Sequence, residues 1–550
     1  MSVVKKEFLF VLIIITFSVI NTEKKEARIK LKGKNEWEIV YNNFTDEDIY
    51  VAQAFYTDSL NETGWDKLSI STNSMFNDEL QAEAAGRLEG ELTQDRIYNH
   101  FLNLKDEYNI SENISDFFQK QESFVFESIE KEGKKDPMLY NAYLIKIQYN
   151  AIMEQYNSVA NVSEQLTKDD FHLMNYVAEL IDLSQKFKVE KYGKTDYSKM
   201  SNKEFMEDFF RRTHCSALIK IKNDLSDIYF GHNTWNSYYS AIRIFKEYNF
   251  NYNNRWIISK NIIFSSYPAT LSSLDDFYVT SHGLIVMETT NAFYNDTMYD
   301  VVVPESLFTG ERVMIANRIS NSSKEWADNF VKYNSGTYNN QFMALDKNKV
   351  DLVNRTIDYD AFYIVEQIPG FTKINNVTQF MKFGYWSSFN VPYDKEIFAK
   401  SEIQKVIDER PEAASSLDYD KCARTKIFRR EQSSADSLEG FMKLMRFNNY
   451  TIDPYSEGDP SLTIASRADL RVNGSSCHGA YDAKIGALSE FANNGTIKVH
   501  IISGPTWNDE EGIKPFNWTE APEGCNNHSH ELLPEVMQFD WTEYNNDFDF

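Results

Sequence analysis

Cysteine is scarce in this chain, which has only four in 550 residues: Cys215, Cys422, Cys477 and Cys525. Small secreted domains that depend on disulfides for stability contain a much larger share of cysteine, so that class of protein is excluded. If one of the four stays free to react, at most one bridge can form among the other three. We expect this bridge to join Cys477 and Cys525, with Cys422 buried or free.

Basic residues are also fewer than acidic residues in this chain. The chain has 57 Lys and Arg residues against 82 Asp and Glu residues, which gives a formal net charge of −25. Phosphate binding needs a basic surface, so nucleic acid is excluded as a partner and tight adsorption to anionic membranes is disfavoured. We therefore expect peripheral lipid contact only. The acidic balance is compatible with an acidic compartment, where protonation of the carboxylates reduces their repulsion.

Long apolar runs are missing except near the N-terminus. Residues Phe8 to Ile20 contain no charged side chain and lie shortly after Lys5 and Lys6. Such a run is too short to span a bilayer as a helix and is typical of the core of a signal peptide. We interpret residues 1–22 as a signal peptide removed near Thr22. The small residues usual at a cleavage site are lacking, so a retained anchor is the alternative, and the mature protein is expected to be soluble.

Sequons for N-linked glycosylation are frequent, which favours a secreted or lysosomal glycoprotein. An asparagine-rich chain also produces some sequons by chance, and only exposed ones can be used. The candidates are Asn43, Asn61, Asn109, Asn113, Asn161, Asn295, Asn321, Asn354, Asn376, Asn449, Asn473, Asn494, Asn517 and Asn527.

No long linker or internal repeat divides the chain. The part before Cys215 is predicted to be mostly helical, with Asp136 and Pro137 as N-cap and first residue of one helix. The part after it begins with short segments rich in β-branched and aromatic residues, followed by helical patterns near 311–333 and 437–446. The predicted strands are SALIKI, DIYF, RWIIS, NIIFSS, DFYVT and GLIVMET. This order favours an α+β fold with antiparallel sheets covered by helices.

Cys215 opens the first of these strands, and His232 stands near the end of the second. A hairpin centred between Asn223 and Asp224 would place the two side chains opposite each other, as a nucleophile and its partner. The alternative is structural. A cysteine beside apolar residues is usually a small buried hydrophobe, and a histidine at a strand end usually has a packing role.

A series of short motifs extends along nearly the whole chain. In order, they are GWDKLSI (64–70), QAEAAGRLEGELT (81–93), HCSALIK (214–220), HNTW (232–235), SSYPATLSSLDDFY (265–278), ETTN (288–291), ANRIS (316–320), NSGTYNNQ (334–341), EQIPG (366–370), GYWSSFNVP (384–392), KIFRR (426–430), LMRFNNYTIDPYS (444–456), DAKI (482–485) and SGPTW (503–507). This series resembles the phospholipase B-like (lamina-ancestor) family of N-terminal-nucleophile hydrolases. The resemblance implies a four-layer αββα sandwich with a largely helical N-terminal portion.

The resemblance also implies self-activation by cleavage between His214 and Cys215. An N-terminal fragment, 23–214, would stay associated with a catalytic fragment, 215–550. The new α-amine of Cys215, with an ordinary pKa of about 7.7 to 8.0, would then serve as the base for its own thiol. The acyl group would pass through a thioester before water releases it.

Further roles are carried over onto matching residues. His232 and Trp235 match the active-site pair of the family, and Asn390 matches the amide that donates to the oxyanion. Arg424 matches an arginine near the nucleophile, although Ala423 stands where we expect a proline. Two further residues are candidates for the substrate pocket: Thr290 and Asn339. For Asn339 the alternative is a simple turn.

The function implied is removal of fatty acyl chains from phospholipids or other acyl lipids. Two alternatives remain open: an N-acyl amide amidohydrolase, and a luminal glycoprotein without enzymatic activity that binds lipid or a partner. We expect no metal and no other cofactor. His528 and His530 lack further ligands in their segment and are predicted to lie in a surface loop.

Overall fold

The computed structural model describes residues 23–33, 36–42, 44, 48–212, 215–491, 497–522, 525 and 528–545. The predicted signal peptide, His214 and three sequon asparagines, Asn43, Asn494 and Asn527, lie outside these residues. Within them, no helix has the length and apolar character needed to cross a membrane.

The largest element is an eleven-stranded sheet. Its strands, from one edge to the other, are Phe371–Asn376, Phe362–Ile368, Asn340–Asp346, Leu284–Thr290, Phe277–Thr280, Asn261–Ser266, Ile244–Asn249, Asp66–Thr72, Ala52–Asp58, Glu23–Gly33 and Glu36–Tyr41. Neighbouring strands are antiparallel except for Asp66–Thr72, which pairs in parallel with Ile244–Asn249. The sheet therefore combines strands from both sides of Cys215.

A second sheet has six strands, in the order Tyr385–Ser388, Ser216–Ile221, Ile228–Asn233, Asp482–Ala487, Lys498–Ser503 and Thr542–Asn545. The strand that follows Cys215 is thus interior and is buried at every position. Three short two-stranded pairs complete the β structure: Val350–Asp351 with Thr356–Ile357, Trp235–Ser237 with His478–Ala480, and Phe516–Asn517 with Val536–Met537.

Helices dominate the chain between the first four strands and Cys215. They are Leu60–Thr63, Asp78–Leu92, Gln94–Leu104, Glu112–Glu132, Pro137–Val159, Lys168–Asn175, Val177–Tyr192 and Asn202–Arg212. The predicted N-cap is confirmed, because the Asp136 carboxylate accepts from the backbone N–H of Met138 at 2.7 Å and of Leu139 at 3.0 Å. Helices after Cys215 are Thr309–Ile319, Ser323–Phe330, Lys395–Lys400, Ile403–Glu409, Ala414–Leu417, Ala423–Glu431 and Leu438–Met445.

Three apolar cores hold the layers together. The first lies between the two sheets, where Ile219 and Phe230 meet Phe277 and Ile285. A second covers the other face of the large sheet with helices Asp78–Leu92, Pro137–Val159 and Thr309–Ile319. A third packs helices Ala423–Glu431 and Leu438–Met445 on the other face of the six-stranded sheet. The structure therefore has the mixed helix and sheet composition predicted from the sequence.

The structure differs from the sequence prediction in two places. Four strands, Glu23–Gly33, Glu36–Tyr41, Ala52–Asp58 and Asp66–Thr72, accompany the helices of the N-terminal part. The segment RWIIS at 255–259 is not a strand. The backbone N–H groups of Ile258 and Ser259 donate to the carbonyl of Arg318, at the end of a helix, instead of to a neighbouring strand.

Candidate active site

Cys215 lies at the start of strand Ser216–Ile221 and is 1% exposed. Its φ angle is +84°, in the left-handed region that a non-glycine residue enters at a cost of about 1 to 3 kcal/mol. Asn390, with φ of +71°, follows strand Tyr385–Ser388. Ser388 pairs with Ala217, so the same register, continued by two residues, sets Asn390 opposite Cys215. Two strained backbone positions thus meet at the edge of this strand pair.

The hairpin after Cys215 differs from the predicted register. His232 pairs with Ala217, two residues beyond Cys215, because the turn between Ile221 and Ile228 is centred between Asp224 and Leu225, one residue later than predicted. Leu225 adopts a φ of +58° within this turn. A shift of two residues keeps side chains on the same face of a sheet. His232 and Cys215 are therefore diagonal neighbours on one face, although they do not lie directly opposite each other.

A third side chain joins this pair from the other sheet. Glu288 belongs to strand Leu284–Thr290 of the large sheet. One donor atom from each of Cys215, His232 and Glu288 lies within 4.8 Å of the other two. All three side chains are buried. Among the described residues, these three side chains form a group that could hold a metal ion, with a sulfur, a nitrogen and an oxygen as its donors.

Burial determines the charge states of Cys215 and His232. Desolvation raises the pKa of the Cys215 thiol well above its ordinary value, and the nearby Glu288 carboxylate raises it further. Desolvation lowers the pKa of His232 well below 6.5, and the Lys484 ammonium lowers it further. The uncleaved chain therefore holds a neutral thiol beside a neutral imidazole.

Glu288 shares a proton-binding site with a second carboxyl group. The Tyr338 hydroxyl donates to Glu288 at 2.9 Å and also contacts Asp276. Burial raises the pKa of Asp276 to about 8, and it raises the pKa of Glu288, with a further contribution from the charge of Asp276. Two carboxyl groups so close together and out of water cannot both ionise at low cost, so one of them holds a proton.

A buried ion-pair network adjoins the other side of His232. Lys484 pairs with His232 across the strands and lies 2.9 Å from Asp482, which also accepts from the backbone N–H of Thr234 at 2.8 Å. Arg243 contacts both Asp482 and Asp275. Burial lowers the pKa of Lys484 to about 8, although Asp482 opposes this effect. The network holds the HNTW segment in place through Thr234.

Arg424 fixes the backbone of Cys215. Its Nη1 donates to the carbonyl oxygen of Cys215 at 2.7 Å and to Oγ of Ser216 at 3.3 Å. The guanidinium lies 4.3 Å from the centre of the Trp235 ring. Arg424 stands in the first turn of helix Ala423–Glu431, so the absence of a proline before it leaves this contact intact. Arg424 therefore orients the main chain of the nucleophile instead of contacting its sulfur.

Asn390 contacts the neighbouring strand. Its Nδ2 donates to the carbonyl oxygen of Thr290 at 2.6 Å, and its backbone N–H donates to Oγ1 of Thr289 at 3.3 Å. These bonds hold the side chain amide beside the wall of the site. The Asn390 side chain is fully buried beside Cys215.

Cys215 borders a small cavity of about 30 Å³. Apolar side chains from both sides of the predicted cleavage point form much of the wall: Tyr108, Val177, Ala178, Ile181, Trp235 and Leu274. Thr290 and Tyr338 add hydroxyl groups. Both also border an adjoining cavity of about 20 Å³, which Asn339 lines. Thr290 thus lies at the Cys215 cavity, whereas Asn339 lines the neighbouring one.

The sequence analysis gave no role to five residues of this site: Glu288, Asp276, Tyr338, Asp482 and Lys484. Each lies within a motif quoted above, namely ETTN, LDDFY, NSGTYNNQ or DAKI. The signal that could have found them is the presence of charged or phenolic residues in segments otherwise built of buried strand residues. A charge in such a place needs a partner or a function.

The remaining candidate residues lie away from this cluster. Cys477 and Cys525 form a disulfide, as expected from the sequence, and Cys422 is a buried thiol. The His530 ring stacks on Trp518 at 4.2 Å. Of the eleven sequon asparagines in the described residues, none is buried, and these are exposed: Asn61, Asn109, Asn113, Asn161, Asn321, Asn354 and Asn473.

Comparisons with known proteins identify the family of this chain. A sequence model of the family described as Phospholipase B matches residues 52–544. The chain is 37% identical to Phospholipase B-like 1 of Rattus norvegicus over 89% of its own length and 86% of that protein. It is 36% identical to Phospholipase B-like protein B of Dictyostelium discoideum, over 90% and 85%. It is 35% identical to Phospholipase B of Crotalus adamanteus, over 89% and 87%. This chain therefore belongs to the phospholipase B family.

Proposed function

We propose that this protein is a self-activated acyl hydrolase that removes fatty acyl chains from phospholipids through a thioester on Cys215. The observation that carries the proposal is the position of Cys215. The residue has a strained backbone, lies beside His232 and Glu288, and opens onto a largely apolar cavity. An apolar cavity beside a nucleophile suits an acyl chain whose carbonyl carbon is attacked at the mouth.

The layered arrangement supports the fold assignment. Helices, the large sheet, the six-stranded sheet and further helices follow one another, with apolar cores between them. We assign this arrangement to the αββα sandwich of N-terminal-nucleophile hydrolases. In that sandwich the nucleophile begins a strand of a central sheet, which is the place of Cys215 before Ser216–Ile221.

Self-cleavage before Cys215 is supported by strain and by charge. The φ torsion includes the carbonyl carbon of residue 214, so breaking that peptide bond removes the left-handed constraint on Cys215. Hydrolysis consumes one water and leaves a carboxylate on His214 and an α-amine on Cys215. Before this step the thiol is neutral and His232 is a poor base, because burial shifts both pKa values in the unfavourable direction. The new amine supplies the missing base.

The acyl transfer then proceeds in two halves. The amine accepts the thiol proton, and the thiolate attacks the ester carbonyl to form a tetrahedral oxyanion. Collapse releases the alcohol, which takes the proton from the ammonium, and leaves a thioester on Cys215. Water attacks the thioester with the amine as base, which releases the fatty acid and restores the thiol. No net charge or proton is lost over the cycle.

The surrounding residues hold this chemistry in place. Arg424 fixes the carbonyl of Cys215 and Trp235 supports its guanidinium, so the amine and thiol keep their orientation. Asn390, which lies opposite Cys215, is the proposed oxyanion donor, and losing one such donor typically costs about 10²- to 10³-fold in rate. His232 orients the thiol from its own strand. Thr290 forms part of the cavity wall beside Cys215 and Asn390.

The two fragments are expected to stay associated. Strand Asp66–Thr72 of the N-terminal fragment pairs with Ile244–Asn249 of the catalytic fragment over its whole length. The buried ion pair between Glu89 and Lys246, at 2.7 Å, also joins the two. We further propose that residues 1–22 direct the protein into the secretory pathway, with a lysosomal or extracellular location and glycans on exposed sequons.

Intact mass and N-terminal sequencing of the purified protein, followed by turnover assays, test the proposal. We expect a fragment that begins at Cys215 and release of fatty acid from phosphatidylcholine. Cys215→Ala should abolish both, whereas Cys422→Ala, which removes the other buried thiol, should preserve both. Turnover of an N-acyl amide in place of the ester would identify an amidohydrolase. A cleaved protein without turnover of either substrate would identify a binding protein, and an active continuous chain would refute the mechanism.

A further inference from the structure

The three donor atoms at the nucleophile form a constellation that the hydrolytic mechanism does not fully use. Cys215 offers a sulfur, His232 a ring nitrogen and Glu288 a carboxylate oxygen, all within 4.8 Å of one another. These donor types together are those that Zn²⁺ prefers in proteins. The mechanism above needs the thiol and the orientation of the imidazole, but it gives the Glu288 oxygen no contact with substrate.

The polar atoms of this cluster are also short of partners. Among the residues that the structure describes, Oε2 of Glu288 has no hydrogen-bond partner, and the His232 ring has none beyond a weak contact with the backbone of Glu288. Both side chains are 0% exposed. Leaving a polar atom unpaired in a buried position has a free-energy cost. A cation that ligates these atoms would recover that cost.

The spacing fits a zinc ion after small adjustments. Zinc bonds of about 2.3 Å to sulfur and about 2.0 to 2.2 Å to nitrogen and oxygen place tetrahedral donors about 3.4 to 3.6 Å apart. Donors within 4.8 Å reach that spacing by side-chain movements of about 1 Å. Glu288 stands on one sheet and Cys215 and His232 on the other, so the ion would bridge the two sheets.

Space and charge are both compatible with an ion at this place. Cys215 lines the small cavity of about 30 Å³, which leaves room for a water molecule at the fourth position of the ion. The nearby cations Arg243 and Lys484 are already matched by Asp275 and Asp482. The thiolate and the Glu288 carboxylate would therefore balance the two charges of Zn²⁺.

We propose that Cys215, His232 and Glu288 form an inhibitory zinc site that holds the nucleophile in an inactive state. Binding releases the thiol proton to solvent and forms a sulfur–zinc bond, so the electron pair that would attack the substrate is occupied. Chelation returns the thiol. Zinc acts here as a reversible inhibitor and not as a cofactor, and the inhibition, unlike the binding, rests on the proposed function.

Binding is tested first without any activity assay. Zn²⁺ is titrated calorimetrically into purified full-length protein whose cleavage state is known from its mass, and Co²⁺ is titrated with absorption spectroscopy. We expect one equivalent of either metal and, with Co²⁺, the charge-transfer band of a cobalt–thiolate bond. Cys215→Ala should abolish the band, whereas Cys422→Ala, which removes the other buried thiol, should leave it unchanged.

The other two ligands have variants of their own. Glu288→Gln keeps the shape of the side chain but removes the anionic donor, and His232→Ala removes the nitrogen. Changes in the partners of metal ligands already cost about 10- to 100-fold in affinity, so loss of a ligand should weaken binding by at least about tenfold. Circular dichroism checks that each variant folds, and Glu288→Gln carries the test if His232→Ala does not fold.

Activity is measured last, with zinc and with a chelator. Parallel loss of turnover and occupancy of the site, reversed by the chelator, supports the inhibitory role. Stoichiometric metal binding without inhibition would overturn that role while leaving the site. Absence of the cobalt–thiolate band, or a band that Cys422→Ala removes and Cys215→Ala does not, would overturn the site itself, whatever the outcome for the hydrolase.

Discussion

Glu179 makes the stability of this protein sensitive to pH. The residue stands on helix Val177–Tyr192, before the proposed cleavage point, and is buried against the part of the chain after it. Its carboxylate accepts from the backbone N–H of Thr309 at 2.7 Å and from the hydroxyl of Thr337. The same helix supplies Ala178 and Ile181 to the wall of the Cys215 cavity. Glu179 thus ties that wall to the catalytic fragment.

The size and sign of the effect follow from the pKa of Glu179. Burial raises this pKa from 4.5 to about 7, with a smaller contribution from Glu311, against the opposing effects of Thr337, Arg312 and the Thr309 N–H. The folded protein therefore binds the proton more tightly than the unfolded chain. The stabilisation is complete below about pH 4.5 and is lost as the pH rises through about 7. At about 1.4 kcal/mol per pH unit, the difference amounts to about 3 kcal/mol.

The substitution Glu179→Gln removes this titration and keeps the contacts, because an amide oxygen can accept from Thr309 and the amide nitrogen can donate to the Thr337 hydroxyl. Urea unfolding of wild type and variant between about pH 4 and about pH 8 gives the two slopes of stability against pH. We expect the wild type to lose about 3 kcal/mol more than the variant over this range.

A matched control lies on the same helix. Glu190 forms a partly exposed ion pair with Lys186 at 2.8 Å, so Glu190→Gln removes an equal charge without changing a buried carboxyl group. Its slope should be that of the wild type. Equal slopes for wild type and Glu179→Gln would show that Glu179 does not hold a proton in the folded protein, and the argument from burial would fail.

Three further outcomes are expected. Cys215→Ala should leave a continuous chain in denaturing electrophoresis, and a cleaved Cys215→Ala protein would show that another protease makes the cut. In protein already cleaved, Asn390→Ala should lower kcat by about 10²- to 10³-fold with little change in KM. Arg424→Lys should also lower kcat, because an ammonium cannot reproduce both the stacking and the paired hydrogen bonds of a guanidinium. Near-normal kcat of both variants in steady-state assays would remove both residues from the mechanism. Glycopeptide mapping should find glycan on the exposed Asn61 and none on Asn295, whose amide nitrogen donates to the carbonyl of Lys400 at 2.9 Å, and the reverse pattern would contradict this.

Local sequence patterns predicted much of the fold, because burial and turn residues coincide there. Ser216–Ile221 and Leu284–Thr290 are apolar runs bounded by turns, and the structure has strands at both places. Glu23–Gly33 was missed, although Ala27 and Ile29 alternate with charged residues and are buried on one face. Its partners come from other parts of the chain, and that pairing leaves no local mark beyond a short alternation.

Local patterns predicted the site only where its residues are close along the chain, whereas Asn390 and Arg424 were assigned from the family resemblance and also lie beside Cys215. Cys215 and His232 belong to one hairpin, so their proximity followed from a strand pattern and a turn, even though the register was two residues off. Glu288 and Lys484 reach the same place from other strands. Tertiary packing brings them there, and a single sequence gives no distance between residues so far apart.

The parallel pairing of Asp66–Thr72 with Ile244–Asn249 bears on whether the proposed cleavage comes before or after folding. While the chain is continuous, these strands find each other as parts of one molecule, and folding is a first-order process. Once the bond before Cys215 is broken, the same sheet has to be rebuilt from two separate polypeptides, so recovery after denaturation becomes second order and faster at higher protein concentration. The proposed cleavage is therefore expected to follow folding, and the refolding yield of a cleaved protein is expected to fall as the protein is diluted.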